Sequence, residues 1–305
     1  MLTTSTVLMV RPACFAFNPD TASNNVFQRN DLQPDHVKKQ ALLEFDAYVA
    51  ALRGQGVRVL VVQDVPVPHT PDAIFPNNGF TTHADGTLVL YPMQGENRRL
   101  ERGKHLPGAL SAFVIRRTLD LTGSESSGLF LEGTGSLVLD RVARIAYACR
   151  SIRTHETVLN DFAAQLGYRA VVFDAIDRQG VPIYHTNVMM SVGRSLALVC
   201  LASLPCTLER EHLLRTLHAC GKQVLDLGFD QLECFAGNML EVRDGQGQAL
   251  LVMSRTAWRS LKQGQRECIQ AHARPLVVDI DTIERVGGGS ARCMLAEIYL
   301  PCRQS

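Results

Sequence analysis

Apolar and polar positions along the chain repeat one order: an amphipathic stretch closed by glycine, an apolar run, a loop, a polar motif, and another apolar run. Residues 1–10 read as a first strand. Residues 34–53 place Leu42, Phe45, Val49 and Leu52 on one helix face, which Gly54 ends before a strand over 57–62. The same pairing predicts a helix over 154–166 closed by Gly167 before a strand over 169–173, and a helix over 208–220 closed by Gly221 before a strand over 224–227. A helix over 256–272 precedes a strand over 275–280. A poorer helix over 97–110, holding Gly103 and Pro107, precedes a strand over 113–121. Residues 11–30, rich in Asn and Pro, read as a long loop, and Asn24, Asn25 and Phe27 are its candidate lid residues.

Five polar motifs follow the five strands. They are Phe75-Pro76-Asn77-Asn78, Leu131-Glu132-Gly133-Thr134-Gly135, Tyr184-His185-Thr186-Asn187, Ala236-Gly237-Asn238-Met239, and a triple-glycine turn, Gly287 to Gly289, that leads to Cys293. Residues 294–300 read as a buried strand. From Asn78 through Glu132, His185 and Asn238 to Cys293 the steps are 54, 53, 53 and 55 residues. A fixed period near fifty residues marks a repeat architecture. Five βαβ-like units predict a closed five-bladed α/β propeller about a pseudo-fivefold axis. It forms one domain over 1–305, with the five positions meeting at its centre.

Composition narrows the function classes. A 46% hydrophobic and 20% charged chain is ordinary for a globular protein, and a net charge of +1 gives no reason to expect nucleic acid or an anionic membrane as partner. No apolar run is long enough to span a bilayer, and residues 1–11 lack the pattern of a secretory signal. The nine cysteines are scattered, odd in number and without a CxxC pair, which disfavours a disulfide framework and structural zinc and points to the cytoplasm. Homo-oligomerisation stays open.

The centre of the ring would hold a thiol, an imidazole and a carboxylate: Cys293, His185 and Glu132. An imidazolium close to a cysteine favours its thiolate. The imidazole can then protonate a leaving group and activate water, oriented by the carboxylate. Gly133-Thr134-Gly135-Ser136 lacks the third glycine of a dinucleotide turn, and neither a P-loop nor metal-ligand spacing is present, so no cofactor is expected. His83, His105 and His155 read as solvated or capping residues. Among the arginines at 98, 99, 102, 150 and 153, two lie soon after a motif, where an anionic substrate end could be clamped.

These residues resemble the guanidino-group-modifying enzymes of the pentein fold, which include arginine deiminases, dimethylargininases and amidinotransferases. The resemblance runs from the loop at Asp72 to Tyr299. It implies Cys293 as a nucleophile forming a covalent adduct, His185 as general acid and base, and Glu132 as its partner. It also implies Asp72 at the substrate α-amino group, and Arg98 and Arg153 at the α-carboxylate, with Arg150 competing with Arg153 by spacing. Members that act on arginine usually carry Asp where this chain has Asn78 and Asn187. The stretches Phe75-Pro76-Asn77-Asn78-Gly79-Phe80 and Asn97-Arg98-Arg99-Leu100-Glu101-Arg102 look most like the citrulline-utilising hydrolase branch. That branch implies conversion of citrulline to ornithine, ammonia and carbon dioxide. An arginine deiminase or dimethylargininase, and a non-catalytic binding protein of the same fold like the ribosome anti-association factor, are the alternatives.

Overall fold

The computed structural model describes residues 3–106 and 108–303. Residues 1–2 of the expected first strand and Pro107 of the expected poorer helix lie outside them.

The strands form five three-stranded sheets with one grammar. β1 (Thr6–Arg11) runs parallel to β2 (Arg58–Gln63). In the second sheet β3 (Phe80–Thr82) is antiparallel to β4 (Thr87–Leu90), which is parallel to β5 (Arg117–Asp120). The third repeats this with β6 (Val138–Asp140), β7 (Ile145–Cys149) and β8 (Arg169–Phe173). The fourth uses β9 (Met190–Val192), β10 (Leu196–Val199) and β11 (Gln223–Asp226), and the fifth β12 (Leu240–Arg243), β13 (Ala249–Ser254) and β14 (Arg274–Val278). Finally β15 (Ala296–Glu297) pairs antiparallel with β1, so the chain's two ends share one sheet. These are the five repeats of the pentein fold.

The apolar runs explain which strand sits where. All five residues of β7 and all four of β10 are buried, as a middle strand covered on both faces requires, while β5 and β11 are mostly exposed edges. Each buried Val, Leu or Ile in the middle strands contributes roughly 1.5–3 kcal/mol.

The helices over 34–53, 154–166 and 208–220 are present as Pro34–Gly54, Glu156–Leu166 and Thr207–Ala219. Other expectations are corrected. The helix over 256–272 is two, Arg255–Ser260 and Gln263–His272, the first capped by Ser254. The helix over 97–110 is also two short pieces, Glu96–Arg99 and Glu101–His105. The strand over 113–121 contracts to β5, and the one over 294–300 to the two residues of β15. His83 and His105 are buried rather than solvated, His105 against Asp64 at 2.9 Å, whereas His155 does cap its helix. Burial lowers the His83 pKa to about 3.

One helix lacks an N-capping side chain of its own. Asp281–Gly287 begins immediately after β14 without a side-chain cap. Its cap comes from another helix: Glu44, in Pro34–Gly54, accepts hydrogen bonds from the backbone N–H of Thr282 and Ile283, both at 3.0 Å. The helix ends at Gly288 in the left-handed conformation (φ +64°), which turns the chain towards Cys293. Among the described residues no helix is long and apolar enough to cross a membrane.

Candidate active site

The polar motifs stand just ahead of β3, β6, β9, β12 and β15, at the same place in each repeat. One cavity takes its wall from three of them, through Asn78, His185 and Cys293. Asp72, Arg98 and Arg153 line it too. Of the eight residues singled out in the sequence, six therefore meet at one cavity.

The other two stand behind its wall. Glu132 is fully buried and accepts from His185 Nε2 at 2.8 Å, Arg153 Nη1 at 3.4 Å and the Gln94 backbone N–H at 2.9 Å. Asn187 lies on the far side of the thiol, where its Nδ2 donates to Thr134 O at 3.0 Å and lies 3.6 Å from Cys293 Sγ. It lines a second cavity, with Arg141 and Glu297, instead of the one Cys293 opens into. Asn187, expected among the substrate-binding residues, is not in the wall of that cavity: its repeat places the imidazole at the wall and the amide underneath.

Local backbone explains the closeness. Gly135 is in the one-turn helix Gly133–Ser136, which starts directly after Glu132. A Cβ there would fall 2.6 Å from Asn78 Oδ1 and 2.7 Å from His185 Nδ1, so only glycine lets the second and fourth sheets' residues approach. Gly287 and Gly289 press on the Phe75 ring in the same way.

Electrostatics assigns protonation states. Burial works to raise the Glu132 pKa, but Arg153 and the His185 hydrogen bond outweigh it and hold the carboxyl below its usual range. An ionised carboxylate only accepts, so His185 carries its proton on Nε2 and leaves Nδ1 bare. Burial, assisted by Arg153 and Arg98 and opposed by Glu132, takes the His185 pKa down to about 4. The imidazole is therefore neutral near pH 7. Hydrogen bonds to Cys293 Sγ come from the neutral side-chain amides of Asn238, at 3.2 Å, and Asn187, at 3.6 Å.

The arginines differ. Arg150 lies half-exposed, tied to Glu156, Asp174 and Glu209, and does not line the cavity, so geometry separates it from Arg153. Arg98 is buried with Nε and Nη2 engaged by Glu101 at 3.0 and 3.1 Å, which leaves Nη1 for a ligand.

A segment without repeat counterpart covers the cavity, and sequence reasoning missed its contacts. Asn18 Nδ2 and Thr21 Oγ1 donate to Asp72 Oδ2 at 2.7 and 3.0 Å. Asn24 Oδ1 accepts from Arg153 Nε at 2.7 Å and from Nη2, while Asn25 lines the cavity and donates to Gly288 O at 3.3 Å. Phe27 packs on Phe235, ring centroids 5.0 Å apart, and on Tyr184, which lines the cavity as well. Asp72 Oδ1 and Asn78 Oδ1 are buried and unpaired among the described residues. No cluster of three or more His, Cys, Asp or Glu among those residues is placed to hold a metal.

Known proteins share this chain's family and fold. Residues 11–300 match the family described as N,N dimethylarginine dimethylhydrolase, eukaryotic. No curated protein matches the chain significantly. Among solved structures, the N-terminal domain of ArgZ, a cyanobacterial arginine dihydrolase crystallised as a Cys-to-Ser variant with substrate, superposes with a TM-score of 0.75 at 16% identity, covering 97% of this chain and 98% of that one. AgrE, solved with ornithine and NAD+, gives 0.75 at 17% identity over 99% of this chain but only 40% of its own. DDAH from Pseudomonas aeruginosa, a Cys-to-Ser variant with citrulline, gives 0.65 at 15% identity over 98% and 100%. The chain belongs to the dimethylarginine dimethylhydrolase family, cysteine-dependent hydrolases of amidine C–N bonds within the pentein superfamily.

Proposed function

We propose that this family member hydrolyses the ureido group of free citrulline, giving ornithine, ammonia and carbon dioxide. The observation that carries this reading is the neutral amide of Asn78 at the cavity wall: among the described residues, Asp72, which would hold the substrate's α-ammonium, is the one carboxylate that lines the cavity. Glu132 is paired with His185 and Arg153, and Glu101 with Arg98. Asn78 offers a neutral amide with its Oδ1 unpaired. A guanidinium is a permanent cation, and burying one without an anionic partner is costly. A ureido group is neutral, and one of its N–H groups would satisfy Asn78 Oδ1.

Asp72 Oδ1 would take the α-ammonium, and Arg98 Nη1 with Arg153 the α-carboxylate. Cys293 Sγ attacks the ureido carbon while its proton passes to His185 Nδ1. Ammonia leaves with that proton, and the adduct is an S-(N-alkylcarbamoyl) cysteine that still carries the substrate chain on its nitrogen. His185 then activates a water that frees the thiol, and the resulting carbamate loses carbon dioxide to leave ornithine.

A guanidino substrate, arginine or a methylated arginine, is the second reading. The unpaired Asn78 Oδ1 would also accept a guanidinium N–H, and the matched family's name and the ArgZ neighbour point to such substrates. An ammonia-release screen over citrulline, arginine, agmatine and methylarginines, with Cys293→Ser as blank, decides. Citrulline should be turned over fastest; faster release from any guanidino compound overturns the ureido reading.

A further inference from the structure

The fourth repeat supplies a polar residue that the reaction above leaves unused. Asn238 is 1% exposed and stands where Asn78, Glu132 and His185 stand in their repeats. Its Oδ1 accepts from the backbone N–H of Arg292 at 3.0 Å and, at 3.6 Å, from the Cys293 thiol while that is protonated. Its Nδ2 donates to Asn187 O at 3.0 Å and to Cys293 Sγ at 3.2 Å.

These contacts fix which way the amide faces. Turned by 180°, it would set its NH₂ against the Arg292 N–H and its oxygen against the Asn187 carbonyl, two repulsions for two lost hydrogen bonds. An N–H is therefore locked against sulfur. Such a donor is a far better partner for a thiolate than for a thiol, whose sulfur is a weak acceptor. Asn187 reinforces it from 3.6 Å, its own orientation fixed by Thr134 O. His185 makes its hydrogen bond to Glu132 and is neutral near pH 7, and a ureido substrate brings no positive charge of its own.

We propose that Asn238 is a further catalytic residue, whose Nδ2–H stabilises the Cys293 thiolate and holds it facing the cavity. In the step it serves, the S–H bond breaks, the proton goes to His185 Nδ1, and the sulfur electron pair forms the S–C bond. The proposal rests on Cys293 being the nucleophile, but not on which substrate is cleaved.

The test is the pH dependence of iodoacetamide alkylation at Cys293, followed by peptide mass spectrometry in wild type, Asn238→Leu and Asn238→Asp, with no substrate present. Asn238→Asp keeps the acceptor for Arg292 and is close in shape, so it guards against misfolding of Asn238→Leu. In either variant the alkylation midpoint should move up by about one pH unit, further in Asn238→Asp, which sets a carboxylate beside sulfur. With the preferred substrate, kcat should fall at least about tenfold with KM little changed. A merely structural role would lower kcat without moving the midpoint. Midpoints equal to wild type in the folded variants overturn the proposal. Failure of wild type to release ammonia from citrulline would instead count against the ureido reading and leave the midpoint result readable.

Discussion

The floor and the cover of the cavity are built by opposite means. The floor comes from repeat positions: Asn78, Glu132, His185, Asn238 and Cys293 sit at the ends of short helices or turns that open directly into strands. The cover, from Asn18 to Gln28, has no counterpart in the other repeats and holds on through side-chain hydrogen bonds to Asp72, Arg153 and the glycine turn. The difference suggests a division of labour. The rigid floor carries the bond chemistry, and the cover, bonded to the same groups that would hold an amino-acid head, carries selection for that head. Floor variants should then lower kcat, and cover variants should raise KM.

The largest effect belongs to the thiol. Cys293→Ser should remove turnover by more than about 10³-fold while circular dichroism stays native, because a serine hydroxyl is far less acidic and less nucleophilic. Measurable activity near wild type would end the covalent account.

The imidazole comes next. His185→Asn should cost about 10²–10⁴-fold in kcat. Its pH behaviour sharpens the point. With the folded pKa near 4, against an ordinary 6.5, kcat/KM in wild type should hold through pH 5.5 and fall only towards pH 4. The linkage has the opposite sense from a salt-bridged histidine. The unfolded chain binds the proton first, so this residue costs stability as pH drops from about 6.5 to about 4 and changes little beyond. An acid limb at pH 6.5 would show that His185 is not the buried neutral base described.

The cover, and Arg98 beside it in the cavity wall, should respond more mildly. Asn24→Ala and Arg98→Lys should each raise KM for the free amino acid about tenfold with kcat within a few-fold, matching the loss of one hydrogen bond to a charged group. A substrate analogue without the carboxylate should show little change for Arg98→Lys. Equal losses for both compounds would place Arg98 in the floor's scaffold, through Glu101, rather than in head recognition.

Smallest is Glu44→Gln, outside both regions. Weakening the borrowed cap of helix Asp281–Gly287 should cost about 0.5–2 kcal/mol in chemical denaturation and leave KM unchanged.

The same contrast explains what the sequence disclosed. Five polar motifs at steps of 53 to 55 residues are visible because every repeat reuses the same helix-to-strand junction. Residue chemistry then picked Cys293, His185 and Glu132 out of the ring. Helix Asp281–Gly287 was invisible because its cap is Glu44, more than two hundred positions away. The contacts of Asn18, Thr21 and Asn24 were hidden for a related reason, since each reaches across at least 51 positions to Asp72 or Arg153. Spacing could not separate Arg150 from Arg153; burial does. Nor could it show that Asn187 would sit beneath the thiol, because His185 two positions earlier claims the wall.

The central claim is that the cavity is matched to a neutral ureido group through Asn78. Steady-state kcat/KM for citrulline and arginine, in wild type and Asn78→Asp, tests it most directly. Wild type should favour citrulline, and Asn78→Asp should move the citrulline-to-arginine ratio towards arginine by at least about tenfold, the effect of placing an anion beside a buried cation. A wild type that prefers arginine, or a ratio unmoved by the substitution, would contradict it.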